Sequence, residues 1–205
     1  MKPSSSKINT GAAYSRGNDV SIQREMIEAM KAPINLYSGA SQHTVDRYKR
    51  VGINKADRVD ENIFIGNEAA ANDLEWLAKE GISLIVNCAK EIPNYHEGTL
   101  RYLRLDLDDG RSQKNAEDDL YRVSEATYRY LAATLKRDPK AKILVHCRAG
   151  ISRSASVVVY YLMRKNSMDY DTALRYLKER RPIVAPNEWY EKQLRDMGMA
   201  MASNR

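Results

Sequence analysis

KILVHCRAGISRSASVVVYYLM, from Lys142 to Met163, joins a short apolar run to a longer one through a loop of small and charged residues. Ile143, Leu144 and Val145 form a β-branched-rich segment of the kind a sheet buries on both faces. From Ser154 onward the chain is apolar, has neither Gly nor Pro, and is long enough for a helix. The stretch therefore predicts a strand, a loop over Cys147 to Arg153, and a helix. At such a junction the first backbone N–H groups of the helix lack partners, so a tight loop turns several donors, and the positive end of the helix dipole, towards one point. That cradle suits an anion. Gly150 lets the chain curl closely, and Arg153 adds a planar fork matched to two phosphate oxygens. The same field should strip the Cys147 thiol of its proton below its free pKa of about 8.5, and the thiolate is the nucleophile.

His146, Cys147, Gly150, Arg153 and Ser154 match HCxxGxxR[ST], the signature of cysteine-dependent protein phosphatases, and HCRAGISRS followed by YYLM resembles their dual-specificity branch. Five fixed positions in a strand–loop–helix context make a specific signal. A buried cysteine beside a chance arginine would explain neither Gly150 nor Ser154. The resemblance implies a phosphocysteine intermediate on Cys147. Arg153 and the amides of Arg148, Ala149, Gly150, Ile151, Ser152 and Arg153 would hold the phosphate and stabilise its equatorial oxygens as charge moves. Ser154 would hydrogen-bond the leaving thiolate, and His146 would orient the cysteine rather than act as a base. No metal and no cofactor are implied.

At 205 residues the chain can hold one domain with a full core plus an extension. The formal charge of +6 suits phosphorylated substrates. It would also suit nucleic acid, but no basic run with interleaved aromatics stands out, so no nucleic-acid partner is expected. Two cysteines, Cys88 and Cys147, are too few for a disulfide framework, and MKPSSSKINT lacks the apolar core of a signal peptide. A reducing compartment, cytoplasmic or nuclear, is the expectation, with no membrane span and no lipid anchor.

Residues 1–20, rich in Ser, Gly, Asn and Lys, read as a disordered tail. Residues 21–56 read as a helical extension, one helix carrying Ile22, Met26, Ile27 and Met30 and a second running from Ser41 to Arg50. This is a collar on the domain or an arm for homodimerisation. Arg47, Lys49 and Arg50 before Val51-Gly52-Ile53 resemble the motif by which some dual-specificity phosphatases dock mitogen-activated kinases, while a solvated helix end is the plainer reading. Residues 57–200 read as the catalytic domain. RVDENIFIG predicts a strand pair turning at Asp60-Glu61-Asn62, and Asn67 caps one helix through Leu74, Trp76 and Leu77 to Gly81. ISLIVNC, Ile82 to Cys88, is too uniformly apolar for a surface strand. Arg101–Leu107 is the next strand, and Glu117–Lys136 a helix with Leu120, Val123, Tyr130, Leu131 and Leu135 inward. Two more helices follow, Asp171–Arg180 and Asn187–Met197. Strands alternating with helices predict an α/β fold with a central, largely parallel sheet, as in protein tyrosine phosphatases, with the site at the strands' carboxyl ends. PNEWYEKQL, Pro186 to Leu194, is similar to the family's PNxxFxxQL element, with Tyr190 at the aromatic position. Asn187 resembles the residue that braces the signature loop, and is equally an ordinary helix cap.

Expelling an alkoxide or phenoxide needs a proton, so a carboxylic acid should stand on a neighbouring loop. Asp106 lies within the strand pattern, and Asp108 and Asp109 open the loop beyond it. Aligned from Tyr102, the family's general acid falls on Asp109. The separation from Cys147 exceeds the family's usual spacing, which leaves Asp108 open. Cys88 should emerge beside the signature loop, and its place resembles that of a cysteine which, in some relatives, traps the oxidised nucleophile. A small apolar strand residue that happens to be cysteine is the alternative. Three functions fit: dephosphorylation of phosphotyrosine and phosphoserine or phosphothreonine in proteins; dephosphorylation of a phosphoinositide, a glucan or an RNA 5′ end; or non-catalytic binding of a phosphorylated ligand. Intact Cys147 and Arg153 favour catalysis.

Overall fold

In the computed structural model, residues 54–108 and 119–203 are described. Among them five strands form one sheet in the order β1-β2-β5-β3-β4. These are β1 (Ala56–Arg58), β2 (Ile63–Gly66), β3 (Ile82–Ala89), β4 (Arg101–Leu107) and β5 (Lys142–His146). The short hairpin β1–β2 is antiparallel, and β2, β5, β3 and β4 run parallel. This is the largely parallel α/β sheet the sequence predicts. β5 lies between β2 and β3 and needs no polar face, which is why Ile143, Leu144 and Val145 are all buried.

Helices cover both faces. α1 (Glu68–Asn72) and α2 (Leu74–Glu80) sit on one, where Ala70, Ala71 and Leu77 pack with Phe64, Ile85 and Leu144. On the other are α3 (Asp119–Arg137), α4 (Arg153–Asn166), α5 (Tyr170–Arg180) and α6 (Glu188–Ser203). α4 is buried at every position from Arg153 to Met163, so it is the helix around which the others on its face pack. Each buried Val or Leu on it contributes about 2 kcal/mol of transfer free energy.

Two expectations are corrected. The helix predicted from Asn67 to Gly81 is two helices, because Asp73 leaves helical geometry (φ −89°, ψ 87°) and its carboxylate accepts from the Trp76 N–H at 2.9 Å, capping α2. Asp73 gains more from this local hydrogen bond than from a helix interior. Tyr130 is 39% exposed rather than inward. The buried stripe of α3 is Leu120, Ser124, Thr127, Leu131 and Thr134, in which hydroxyl residues replace apolar ones. The Ser124 hydroxyl donates to the Leu120 carbonyl, so the helix satisfies its own polar atoms and can bury them. The expected tail over 1–20, the helices of 21–53, the basic cluster Arg47, Lys49 and Arg50 with Val51 and Ile53, and the start of α3 at Glu117 lie outside the described residues.

Candidate active site

β5 delivers Cys147 to the carboxyl edge of the sheet, and α4 begins at Arg153. Ser152, the residue before α4, makes no side-chain capping bond; its Oγ instead accepts the Asn187 backbone N–H at 3.0 Å. The loop between closes on its own sulfur. The Gly150 N–H donates to Cys147 Sγ at 3.3 Å, and Ser154 Oγ lies 3.3 Å from the same atom. Burial by itself would push the Cys147 thiol up. The Arg153 charge, the Ser154 hydroxyl and the N–H groups of Ser154 and Gly150 outweigh it and hold the thiol below its ordinary value.

Gly150 is where the loop turns. Its φ is +69°, and a Cβ would stand 2.6 Å from the Gly66 carbonyl oxygen and 2.8 Å from Arg181 Nη2. The outer side of the loop is held by main-chain and guanidinium donors. Glu68 N–H donates to the Arg148 carbonyl and Ala185 N–H to the Ile151 carbonyl. Arg181, fully buried, donates to the Gly150 carbonyl at 2.9 Å and to the Asn54 carbonyl at 3.0 Å, and forms an ion pair with Asp57. With its carbonyls turned outward and occupied, the loop keeps its N–H groups for the interior.

Arg153 is 4% exposed, and its fork already holds a carboxylate: Nη1 and Nη2 each donate to Glu91 at 2.7 Å. Arg148 Nε stands 3.6 Å from the same Glu91. Burial raises the Glu91 pKa, but Arg153 overrides it and holds the carboxyl below its usual range. His146 is fully buried, and burial, opposed by the Cys147 backbone and reinforced by the Arg153 and Arg104 charges, depresses its pKa to about 4. It is a neutral strand residue beneath the loop.

Asn187 stands at the start of α6. Its Oδ1 accepts the Tyr190 N–H at 2.9 Å, capping α6, while its backbone N–H holds Ser152. Cys88 stands one step beyond the Asn87–His146 pair of β3 and β5, as Cys147 does, and both cysteines are free and buried. Burial, with a smaller push from Cys147, carries the Cys88 thiol well above its ordinary value. Of the acid candidates, Asp106 sits in left-handed backbone (φ 52°) and pairs with Arg104. Asp108 pairs with Lys90 and offers its carbonyl to the Tyr190 hydroxyl. Asp109 lies outside the described residues. The sequence reading had no role for Glu91, Arg181 or the Tyr190 hydroxyl. An acid just past a buried strand end and an arginine before Pro182 were the only traces they left.

The model of the dual specificity phosphatase catalytic domain matches residues 63–199. The chain belongs to that family. It is 34% identical over 137 residues to the protein phosphatase Slingshot of Drosophila melanogaster, covering 67% of this chain and 12% of that one. It is 31% identical over 143 residues to the tyrosine-protein phosphatase yvh1 of Schizosaccharomyces pombe, covering 70% and 41%. It therefore spans under half the length of these relatives. Among solved structures, human DUSP28 superposes with a TM-score of 0.65 at 30% identity, covering 73% of this chain and 96% of that one. A mouse putative dual specificity phosphatase complexed with zinc tungstate gives 0.65 at 31%, covering 73% and 90%.

Proposed function

We propose that the chain hydrolyses phosphotyrosine and phosphoserine or phosphothreonine in proteins, by transfer of the phosphoryl group to Cys147 and then to water. The observation that carries this reading is the sulfur itself. It is buried, has a lowered pKa, and is ringed by the Gly150 N–H, the Ser154 hydroxyl and the charge of Arg153. Attack by the thiolate on phosphorus forms the S–P bond as the P–O bond breaks. The leaving oxygen takes a proton from Asp109, which in the second half removes one from water. Asp109 is preferred to Asp108 because the family's general acid falls on Asp109 when aligned from Tyr102, and the Asp108 carboxylate is already held in an ion pair with Lys90. Ser154 would stabilise the thiolate as it leaves phosphorus. Protein substrates are favoured over phosphoinositide, glucan or RNA 5′ ends because Slingshot and yvh1 are named protein phosphatases.

Turnover of phosphopeptides, phosphoinositides, phosphoglucan and 5′-triphosphate RNA by wild type and Cys147→Ser tests all the readings together. Phosphopeptide turnover in wild type only is expected. Turnover surviving in Cys147→Ser would remove the nucleophile, and turnover confined to a lipid, glucan or RNA would move the substrate class. The same proposal includes kinase docking through Arg47, Lys49, Arg50, Val51 and Ile53, which capture of a mitogen-activated kinase by Arg47→Ala/Lys49→Ala/Arg50→Ala would dismiss. It also includes Cys88 as redox partner: peroxide converts the Cys147 thiolate to a sulfenic acid, and the Cys88 thiol displaces water to give a disulfide. Peptide mapping without reductant should then find the two linked. No linked peptide, with equal recovery in Cys88→Ser, would leave Cys88 as packing.

A further inference from the structure

We propose that Arg104 is a positioning residue for the phosphate-binding arginine, and that it acts through Glu91. This rests on the assignment of Arg153 to the phosphate above. Glu91 receives both Nη atoms of Arg153 at 2.7 Å, yet it stands beyond the end of β3, on a loop. An acid fixes an arginine only if its own main chain is fixed. Here the chain closes a tight turn: the Ile92 N–H donates to the Ala89 carbonyl at 3.2 Å, with Lys90 and Glu91 at the two corners.

Two side chains hold that turn, Asn87 and Arg104, which are register partners on β3 and β4. The fully buried Asn87 accepts the Ala89 N–H at 3.0 Å and donates to the Ile92 carbonyl at 2.8 Å, fastening the two ends of the turn. Neither bond reaches the corner that carries Glu91. Arg104 does: Nη1 donates to the same Ile92 carbonyl at 2.8 Å, and Nη2 donates to the Lys90 carbonyl. The Lys90 carbonyl and the Glu91 nitrogen belong to one planar peptide, so a donor on that oxygen sets the direction in which Glu91 departs. The remaining nitrogen of the guanidinium, Nε, is taken by Asp106. Asp106 is within reach because β4 takes three steps, Arg104 to Leu107, where β3 takes two, Asn87 to Ala89, and Asp106 turns through positive φ in that bulge. With all three nitrogens engaged the fork has one orientation, which its two carbonyl bonds impose on the turn. Asp106 thus sets Arg104, Arg104 sets the Lys90–Glu91 peptide, and Glu91 sets the arginine that would meet the phosphate.

The experiment is Arg104→Met and Arg104→Lys in the full chain; the residue lies at the surface, so neither change opens the core. Two quantities are read: affinity for inorganic phosphate, as protection of Cys147 from iodoacetamide, and kcat/KM on aryl phosphates whose phenols range from strongly to weakly acidic. Arg104→Met is expected to weaken both about fivefold, and equally for every phenol, since Arg153 would meet the phosphate whichever group leaves. Arg104→Lys should lose nearly as much, because an ammonium keeps the charge but cannot span two carbonyls. Wild-type phosphate affinity in Arg104→Met overturns the proposal, and so does wild-type affinity in Arg104→Lys, which would leave only a charge acting at a distance. If positioning runs through Glu91, neither variant has a further effect in the Glu91→Ala background. The same fivefold loss there overturns it, as does unchanged protection in Glu91→Ala itself. Protection by phosphate needs no turnover, so it reads the fork even in a chain that hydrolyses none of the esters, and a failed hydrolytic reading does not pass for failed positioning.

Discussion

Glu91 occupies both Nη atoms of Arg153 at 2.7 Å, so the guanidinium that would meet a phosphate is already oriented by an acid. An arginine without that partner would sample several rotamers before each binding event. Glu91→Ala is expected to lower kcat/KM by about tenfold, and equally for good and poor leaving groups, because Arg153 acts on the equatorial oxygens whichever group departs. Asp109→Ala should instead cost most on poor leaving groups. Measured on the same aryl phosphates, a leaving-group dependence in Glu91→Ala would show that Glu91 touches the acid step and not the phosphate fork.

At the scale of elements, the signature loop is a turn between β5 and α4 whose shape is imposed from outside. Arg181, just after α5, binds the Gly150 and Asn54 carbonyls and Asp57, tying loop, β1 and α5 into one unit. Arg181→Met would deprive three carbonyls, those of Gly150, Asn54 and Ala149, of the guanidinium donor and Asp57 of its ion-pair partner, and a loss of roughly 3 kcal/mol in urea unfolding is expected. Gly150→Ala acts on the same unit by another route. Its Cβ would meet the Gly66 carbonyl at 2.6 Å in left-handed backbone, so the loop must open. Weaker inhibition by inorganic phosphate should accompany the loss of turnover; unchanged inhibition would mean the loop tolerates the methyl group.

For the molecule as a whole, His146 ties stability to pH. Its folded pKa is about 4, below the ordinary 6.5, so the unfolded chain takes up a proton that the folded chain refuses. Stability from this group is complete above pH 6.5 and declines as pH falls towards 4. Between pH 7 and pH 5 the loss amounts to about 2 kcal/mol. Urea unfolding of wild type and His146→Gln at both pH values checks this: the variant should lose less stability on acidification, and equal losses would place the acid sensitivity elsewhere.

The sequence alone determined the order of elements and the identity of the loop, because periodicity, caps and a five-position signature are local properties of the chain. It marked β5 and β3 as interior strands from their unbroken apolar runs, and Cys147, Arg153 and Ser154 as one cluster from their spacing. It misread only Tyr130 of α3, and it did not foresee Ser124, Thr127 and Thr134, which are buried by a packing choice that hydrophobicity does not encode. It also missed the break at Asp73, which a competing side-chain cap decides. Only the tertiary structure decided what each charged group faces. Glu91 lies 62 residues from Arg153, Asp57 lies 124 from Arg181, and the Asp108 carbonyl lies 82 from the Tyr190 hydroxyl. Such pairs arise from a parallel sheet that gathers its strand ends at one edge, and no local pattern in the chain records which distant partner will be waiting there.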